Sequence, residues 1–471
     1  MTTLETTGRT ATALRPASGL LLASQLVFNI GFYAVVPFLA LVMTRDFGLA
    51  ATAVGIVLGA RVFSQQGLFL VGGIITDRWG ARRAMLAGCL VRVSGYLTLA
   101  MAGSFPLFLL GAVLTGMGGA LFSPALESLV GKAEERRRST GGKAPALFAL
   151  LAICGEIGAV AGPLLGALLL GVSFTWAALA GAVVFTVMAG VLWHSLPAEE
   201  LRQSPAMQKP ATPLRPAARQ AAAPQSTERA ERAEKADGSD GSDGSGGFDG
   251  TEGSGGSGGS QRSGRTGRTE GTAAMLRDRR FVAFAALYSV NLLAYNQLYF
   301  GLPVELARTG AGPEVLAGLF AVASLLTVAL QWPISRLTAR MGAGRALTAG
   351  FILKGLAFGS MAVLAQVPAA GTMQLLPPLL LVVGLCLGHM CIGPVAMPLV
   401  LDFARGRRTG IYYGLLASMG GCAVLLGNIV LGPLYSGASQ PGPDAAWPWV
   451  LLAALTVLPA VGLPRLLPTK T

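Results

Sequence analysis

At 471 residues, with 52% of them hydrophobic and only 13% charged, the chain holds more apolar side chains than a soluble fold of its length buries, which excludes a water-soluble enzyme or binding domain. The net charge of +13 would fit a nucleic-acid binder, but the basic residues sit in short loops between apolar stretches. That placement reports membrane topology, so no nucleic-acid partner is expected.

Apolar stretches of about 20 residues match the roughly 30 Å of hydrocarbon in a bilayer. Twelve such spans are expected, at about 18–43, 50–76, 84–103, 105–130, 144–171, 173–195, 281–304, 313–338, 346–366, 374–402, 410–436 and 446–466. The first follows Arg9 and Arg15, is too long for a signal-peptide core and lacks a small-residue cleavage site, so it is read as a retained helix. One set of loops and tails holds Arg78, Arg82, Arg83, Lys132, Lys143, Arg340, Arg345, Arg405, Arg407, Arg408, Arg465 and Lys470; the opposite set holds little beyond Arg45 and Arg308. Short positive loops stay on the cytoplasmic side, so a multi-pass protein of the cytoplasmic (inner) cell membrane is expected, with both termini cytoplasmic.

The cysteines, Cys89, Cys154, Cys386, Cys391 and Cys422, fall inside expected spans and are odd in number, which argues against a disulfide framework. In "CLGHMC", residues 386–391, Cys386 and His389 share a helical face while Cys391 points elsewhere. Helix packing is therefore expected there, with no metal site and no cofactor.

Between Leu196 and about Ala274 the hydropathy collapses into "ADGSDGSDGSGGFDGTEGSGGSGGS" flanked by Ala, Pro and Arg. Such a composition cannot offset the entropy of ordering, so 198–274 is expected to be a disordered cytoplasmic linker between two six-helix bundles, 1–197 and 275–471. The halves look like repeats. A shift of 262 positions without a gap pairs Asn29 with Asn291, Tyr33 with Tyr295, Arg78 with Arg340, Gly80 with Gly342, Arg83 with Arg345, Gly88 with Gly350 and Arg92 with Lys354. A duplicated six-helix half with the substrate path between the halves is the organisation of many secondary transporters.

The loop after the second span, "GGIITDRWGARRAM", places Gly73, Asp77, Arg78, Gly80, Arg82 and Arg83 at the spacing G-x-x-x-D-R-x-G-x-R/K-R/K. Glycine lets the chain reverse there, and Asp77 can pair with loop arginines and cap a helix N-terminus in one conformation of a two-state gate. The stretch resembles the signature of the major facilitator superfamily, which lies between helices 2 and 3 on the cytoplasmic side. The resemblance implies an all-α integral membrane fold of twelve transmembrane helices in two six-helix repeats. Glu127 and Asp402, at the cytoplasmic ends of spans 4 and 10, resemble the acids that pair with loop arginines in that family's inward gate.

Span 5 reads "ICGEIGAVAGPLLGALLL", an apolar run that carries the carboxylate Glu156. Gly158, Gly162, Pro163 and Gly166 fall on G-x-x-x-G-P-x-x-G, which resembles the fifth-helix motif of drug:proton antiporters, and the stretches around 58–80 and 118–132 resemble MdtH-type multidrug exporters. At about 100° per residue the glycines share one face, which admits a neighbouring helix closely, and Glu156 lies about 115° from that face. Ionisable groups in the bilayer cost a few kcal/mol each and need a reason. Two readings of Glu156 stand side by side: a proton carrier, or a structural carboxylate held ionised by Arg61, which with Gln65 forms a polar edge on span 2. The fourth-helix arginine of many antiporters is Ala112 here, so Arg61 is the candidate to replace it. Arg92 and Lys354, nine residues into their spans, are expected to snorkel or to pair between helices.

Gln25, Asn29 and Tyr33 on span 1, and Asn291, Tyr295 and Tyr299 on span 7, form polar stripes at four-residue spacing. The first helices of the two halves line the cavity in the family these motifs resemble, which makes the stripes substrate-facing candidates; helix–helix hydrogen bonding is the other reading. Trp332, His389 and Asn428 are weaker cavity candidates from the second half. The expectation is a monomeric proton-coupled exporter of small amphipathic molecules, drug or natural product, with the small-molecule substrate, protons and the lipid bilayer as its partners. The rivals are a proton-coupled uptake symporter for a nutrient or metal chelate and a non-transporting membrane receptor on the same scaffold. No enzyme is expected, because no nucleophile–base constellation or phosphate loop is present.

Overall fold

The structure, a computed structural model, describes residues 18–139, 147–196, 277–367, 374–404, 409–438 and 442–467. The expected linker 198–274 and the loop or tail cations Arg9, Arg15, Lys143, Arg405, Arg407, Arg408 and Lys470 lie outside these residues. Within them the chain is helical and contains no strand.

The first half begins with a span broken into α1 (Ser18–Tyr33) and α2 (Val36–Arg45), with Pro37 in the first turn of α2, where its missing N–H costs nothing. Next come α3 (Ala51–Val62), a π-helical turn Phe63–Gly67, and α4 (Phe69–Trp79), together a bent span with a 42° break. They are followed by α5 (Ala81–Ala100), α6 (Phe105–Ser139), α7 (Leu147–Leu170) and α8 (Phe174–Ser195). The second half repeats the plan with α9 (Arg279–Asn296), α10 (Gly301–Thr309), α11 (Pro313–Met341), α12 (Ala343–Leu364), α13 (Leu376–Ala404), α14 (Thr409–Gly437) and α15 (Pro443–Leu466).

Among the described residues, ten helices are long and apolar enough to cross a membrane, and the bent α3–α4 pair makes an eleventh. The twelfth expected span corresponds to α5, which fails by composition because Arg82, Arg83 and Arg92 lie within it. Bulky apolar side chains such as Leu168, Val183, Leu356 and Val457 point outward, as a lipid-facing surface requires.

The duplication is visible in the packing. In the first half α5 packs on α6 and α8, and α1 packs on α7; in the second half α12 packs on α13 and α15, and α9 packs on α14. Both first helices are interrupted, at Ala34–Val35 and at Gln297–Phe300. The reversals into α5 and α12 turn on Gly80 (φ 85°, ψ 152°) and Gly342 (φ 82°, ψ 156°), a backbone region that essentially only glycine enters. Across the halves, α3 packs against α14 and α7 against α11.

The repeat reaches individual atoms. A Cβ on Gly88 would lie 2.8 Å from the Gly118 carbonyl oxygen, and one on Gly350 would lie 2.9 Å from that of Gly388. These glycine crossings let the stems of Arg92 and Lys354 lie flat on the next helix: a Cβ on Gly118 would be 2.8 Å from Arg92 Cβ, and one on Gly388 would be 2.7 Å from Lys354 Cγ.

Candidate functional site

The glycine face of α7 rests on α1. A Cβ on Gly158 would sit 2.6 Å from Asn29 Cβ, one on Gly162 2.9 Å from the Ile30 carbonyl oxygen, and one on Gly166 2.6 Å from Phe38. Pro163 is buried in the same contact region. The close approach expected from the spacing is present, and it places Gln25 and Asn29 beside Gly155. Glu156 is half-buried outside the contact. It lies within electrostatic reach of Tyr33 from the first half and of Tyr295 and Cys386 from the second, so it faces the seam between the halves.

The expected Arg61–Glu156 ion pair is not formed; among the described ion pairs only Arg308–Glu305 is present. Arg61 is satisfied locally instead. Its Nη2 donates to Gln65 Oε1, one turn on, at 2.8 Å, and its guanidinium stacks 4.5 Å from the centre of the Phe32 ring. Its buried Nε has no hydrogen-bond partner. Arg92 and Lys354 do not snorkel: they are 1% and 0% exposed. Arg92 Nε donates to the Thr115 carbonyl at 3.2 Å, and the guanidinium lies 4.1 Å from the Phe28 ring and 5.0 Å from that of Phe185. Lys354 Nζ donates to the carbonyl and the side-chain oxygen of Asn291, at 3.2 and 2.5 Å. The interhelical contact expected for both is therefore made by rings and amides rather than by carboxylates.

Of the stripes, Tyr33 and Tyr299 meet across the seam with ring centres 6.5 Å apart, and Tyr299 continues to Phe320 at 5.2 Å. Tyr295 stacks on His389 at 4.2 Å, whose Nδ1 is buried without a partner. Asn29 Nδ2 donates to the Gln25 carbonyl at 2.9 Å within its own helix. Three candidates are placed elsewhere. Asn291 is buried under Lys354. Asn428 is fully buried and donates to Asn296 Oδ1 at 3.3 Å, in a network that continues through Gln297 to Tyr435. Trp332 is 64% exposed and covered by Arg336 at 3.5 Å. Sequence reasoning missed Phe32, Phe320 and Gln297. Phe32 and Gln297 lie off the four-residue stripes, and an apolar ring in an apolar span carries no signal of its own.

The motif loop is open at its end of the molecule. Asp77, Arg78, Arg83, Glu127 and Asp402 are exposed, and none of them forms a side-chain ion pair or hydrogen bond with another described residue. Arg82 donates to the Trp193 carbonyl at 2.6 Å and lies over its ring, and an added Cβ on Gly73 would meet nothing within 4 Å. With the described arginines, Asp77, Glu127 and Asp402 make none of the expected gate pairings; Arg405, Arg407 and Arg408 lie outside the described residues. The opposite end is closed: α2 packs on α10, and Arg45 Nη2 donates to the Leu306 carbonyl at 3.2 Å. A groove of about 590 Å³ between α12 and α15, lined by residues such as Ile352, Leu356 and Val457, carries no ionisable side chain and lies away from Glu156.

The family model of the Major Facilitator Superfamily matches residues 21–428. The chain is 30% identical over 455 residues to the uncharacterized MFS-type transporter Rv0849 of Mycobacterium tuberculosis, covering 95% of this chain and 93% of that one. It is 27% identical over 444 residues to the multidrug resistance protein MdtH of Escherichia coli, covering 93% of this chain and 90% of that one. Among solved structures, the nucleoside transporter NupG (D323A mutant) superposes with a TM-score of 0.68 at 13% identity, covering 95% of this chain and 99% of that one, and a POT family transporter with 0.67 at 13% identity, covering 96% of each. At those identities the likeness concerns the fold. The relatives are transporters, and with the signature loop, the duplicated six-helix plan and the seam between the halves, this multi-pass membrane chain belongs to the Major Facilitator Superfamily.

Proposed function

We propose that the chain exports small amphipathic molecules, drug or natural product, across the cytoplasmic membrane in exchange for protons by alternating access. It acts as a monomer of two six-helix bundles, 1–197 and 275–471, joined by the segment 198–274, with both termini cytoplasmic. One observation carries the reading. Glu156 stands half-buried at the seam of the halves and forms no ion pair with a described residue, which suits it to exchange a proton with whichever side the seam opens to. The structural alternative required a bonded Arg61, and Arg61 is held by Gln65 and Phe32. The glycine face beside Glu156, the likeness to MdtH and the exposed acids Asp77, Glu127 and Asp402 support the same cycle. In that cycle the latch closes when the chain faces outward, Glu156 takes a proton there, and the proton leaves to the cytoplasm after return. Gln25, Asn29, Gln65, Tyr33, Tyr295, Tyr299 and His389 surround the cargo.

The test is compound-induced proton release in everted vesicles carrying wild type or Glu156→Gln, with a panel of antibiotics and dyes against an imposed pH gradient. Release in the wild type that vanishes in the variant is the expected result. Release that persists removes Glu156 from the coupling, and uptake into right-side-out vesicles with proton entry replaces export by symport.

A further inference from the structure

We propose that Arg61 and Arg92 together form a buried subsite for an oxyanion, and that the transported molecule carries one, a carboxylate in the first instance. Both guanidiniums lie under the ring of Phe32, at 4.5 and 5.8 Å, and are close enough to repel each other. Gln65 joins them. It accepts from Arg61, and it packs together with Arg92 against Gly119, where an added Cβ would lie 2.8 Å from Arg92 Nη2 and 3.2 Å from Gln65 Cδ. Arg61 is 5% exposed and Arg92 1%.

Two like charges buried side by side are costly unless an opposite charge joins them. The rings of Phe28, Phe32 and Phe185 offset part of that cost, but a ring takes the face of a guanidinium and leaves its edge N–H groups unused. Those edges are the orphaned atoms: Arg61 Nε, Arg92 Nη1 and Arg92 Nη2 have no hydrogen-bond partner. An in-plane fork of donors matches the two oxygens of a carboxylate, and a phosphate or sulfonate offers the same edge. Glu156, the acid at the seam, does not serve the purpose, since it pairs with neither arginine. Phe32, half-buried over both arginines and 6.5 Å from Tyr299 across the seam, ties the subsite to the seam between the halves.

The assignment rests on the reading of the seam as the cargo path but not on the direction of transport. The experiment is thermal unfolding of the full chain, purified in detergent, titrated at constant ionic strength with sodium benzoate, sodium sulfate, sodium chloride or benzyltrimethylammonium chloride. Benzoate is expected to raise the unfolding midpoint saturably, and Arg61→Gln and Arg92→Lys to weaken its apparent affinity at least tenfold; Arg92→Lys keeps the charge, so the fold survives while the fork is lost. A benzoate shift that is absent, that both variants retain, or that chloride reproduces at equal concentration overturns the proposal, the last by reducing the pair to a site for any small anion; a sulfate shift lost in the same variants upholds it, because sulfate offers the same oxygen edge. A shift from the ammonium compound alone overturns it as well. Because this readout needs no flux, an intact benzoate shift without proton release in vesicles sinks the export reading alone, and proton release without the shift sinks the subsite alone.

Discussion

Lys354 shows how a single residue in lipid can be read in sequence and still be misjudged in kind. Its depth in the ninth span marks it as exceptional, but only the fold shows that its ammonium ends on the two oxygens of Asn291, with no carboxylate. Removing the side-chain oxygen leaves the buried ammonium with the backbone carbonyl alone. Asn291→Ala is expected to cost about 2 kcal/mol, the range for a hydrogen bond to a charged group, and the double variant Asn291→Leu with Lys354→Met to recover most of it, since a packed apolar pair replaces a polar one at little cost. Apparent midpoints of the two single variants and the double, in one detergent, check this; additive losses would refute it. Gly80, whose φ of 85° and ψ of 152° suit only glycine, gives a second test at this scale. Gly80→Ala is expected to cost roughly 1–3 kcal/mol, and Gly342→Ala the same, because the repeat places both in one conformation. Unequal losses beyond that range would show that the two reversals are not equivalent.

At the scale of the helix, the contact of α7 on α1 was the most legible feature, because a glycine face at helical spacing has one physical use, close approach. Gly162→Ala would press a methyl within 2.9 Å of the Ile30 carbonyl oxygen, where the neighbour is backbone and cannot swing aside. Overpacking of this kind costs about 1–3 kcal/mol and would also displace Glu156 one turn and a half away. The expected outcome is a lower unfolding midpoint together with lost proton coupling, whereas Gly190→Ala, with nothing within 4 Å, leaves both unchanged. Equal behaviour of the two variants in unfolding and proton-release assays would mean that the α1–α7 contact is not critical. The polar stripes were less legible. Spacing put Asn291 and Tyr295 on one face, but a face does not say which neighbour it meets, and Asn291 turned out to serve Lys354.

For the whole molecule, charge decides how the membrane potential acts. If the cargo is a monoanion exchanged for one proton, each cycle moves two charges down the potential, worth about 4.6 kcal/mol at 100 mV against about 2.3 for a neutral cargo. Collapsing the potential with valinomycin and potassium in everted vesicles, at a fixed pH gradient, should then lower the steady-state accumulation ratio by up to about 2,000-fold rather than about 50-fold. Potential-independent accumulation would instead indicate a singly charged cation as cargo. The exposed motif loop at one end and the contact of α2 with α10 at the other fit one station of the proposed cycle.

Sequence by itself determined the membrane class, the duplication, the place of the signature loop and the glycine contact of the fifth span, since each follows from periodicity and spacing along one helix or between two copies of it. Tertiary structure alone decided the partners of the buried charges. A cation in lipid must be accommodated by something, but rings, amide oxygens and carboxylates can all do it, and residues as far apart in the chain as Arg61 and Phe32, or Lys354 and Asn291, meet only when the helices pack. For the same reason Arg61 left Glu156 unpaired: the nearest acceptor in space was one turn away on its own helix.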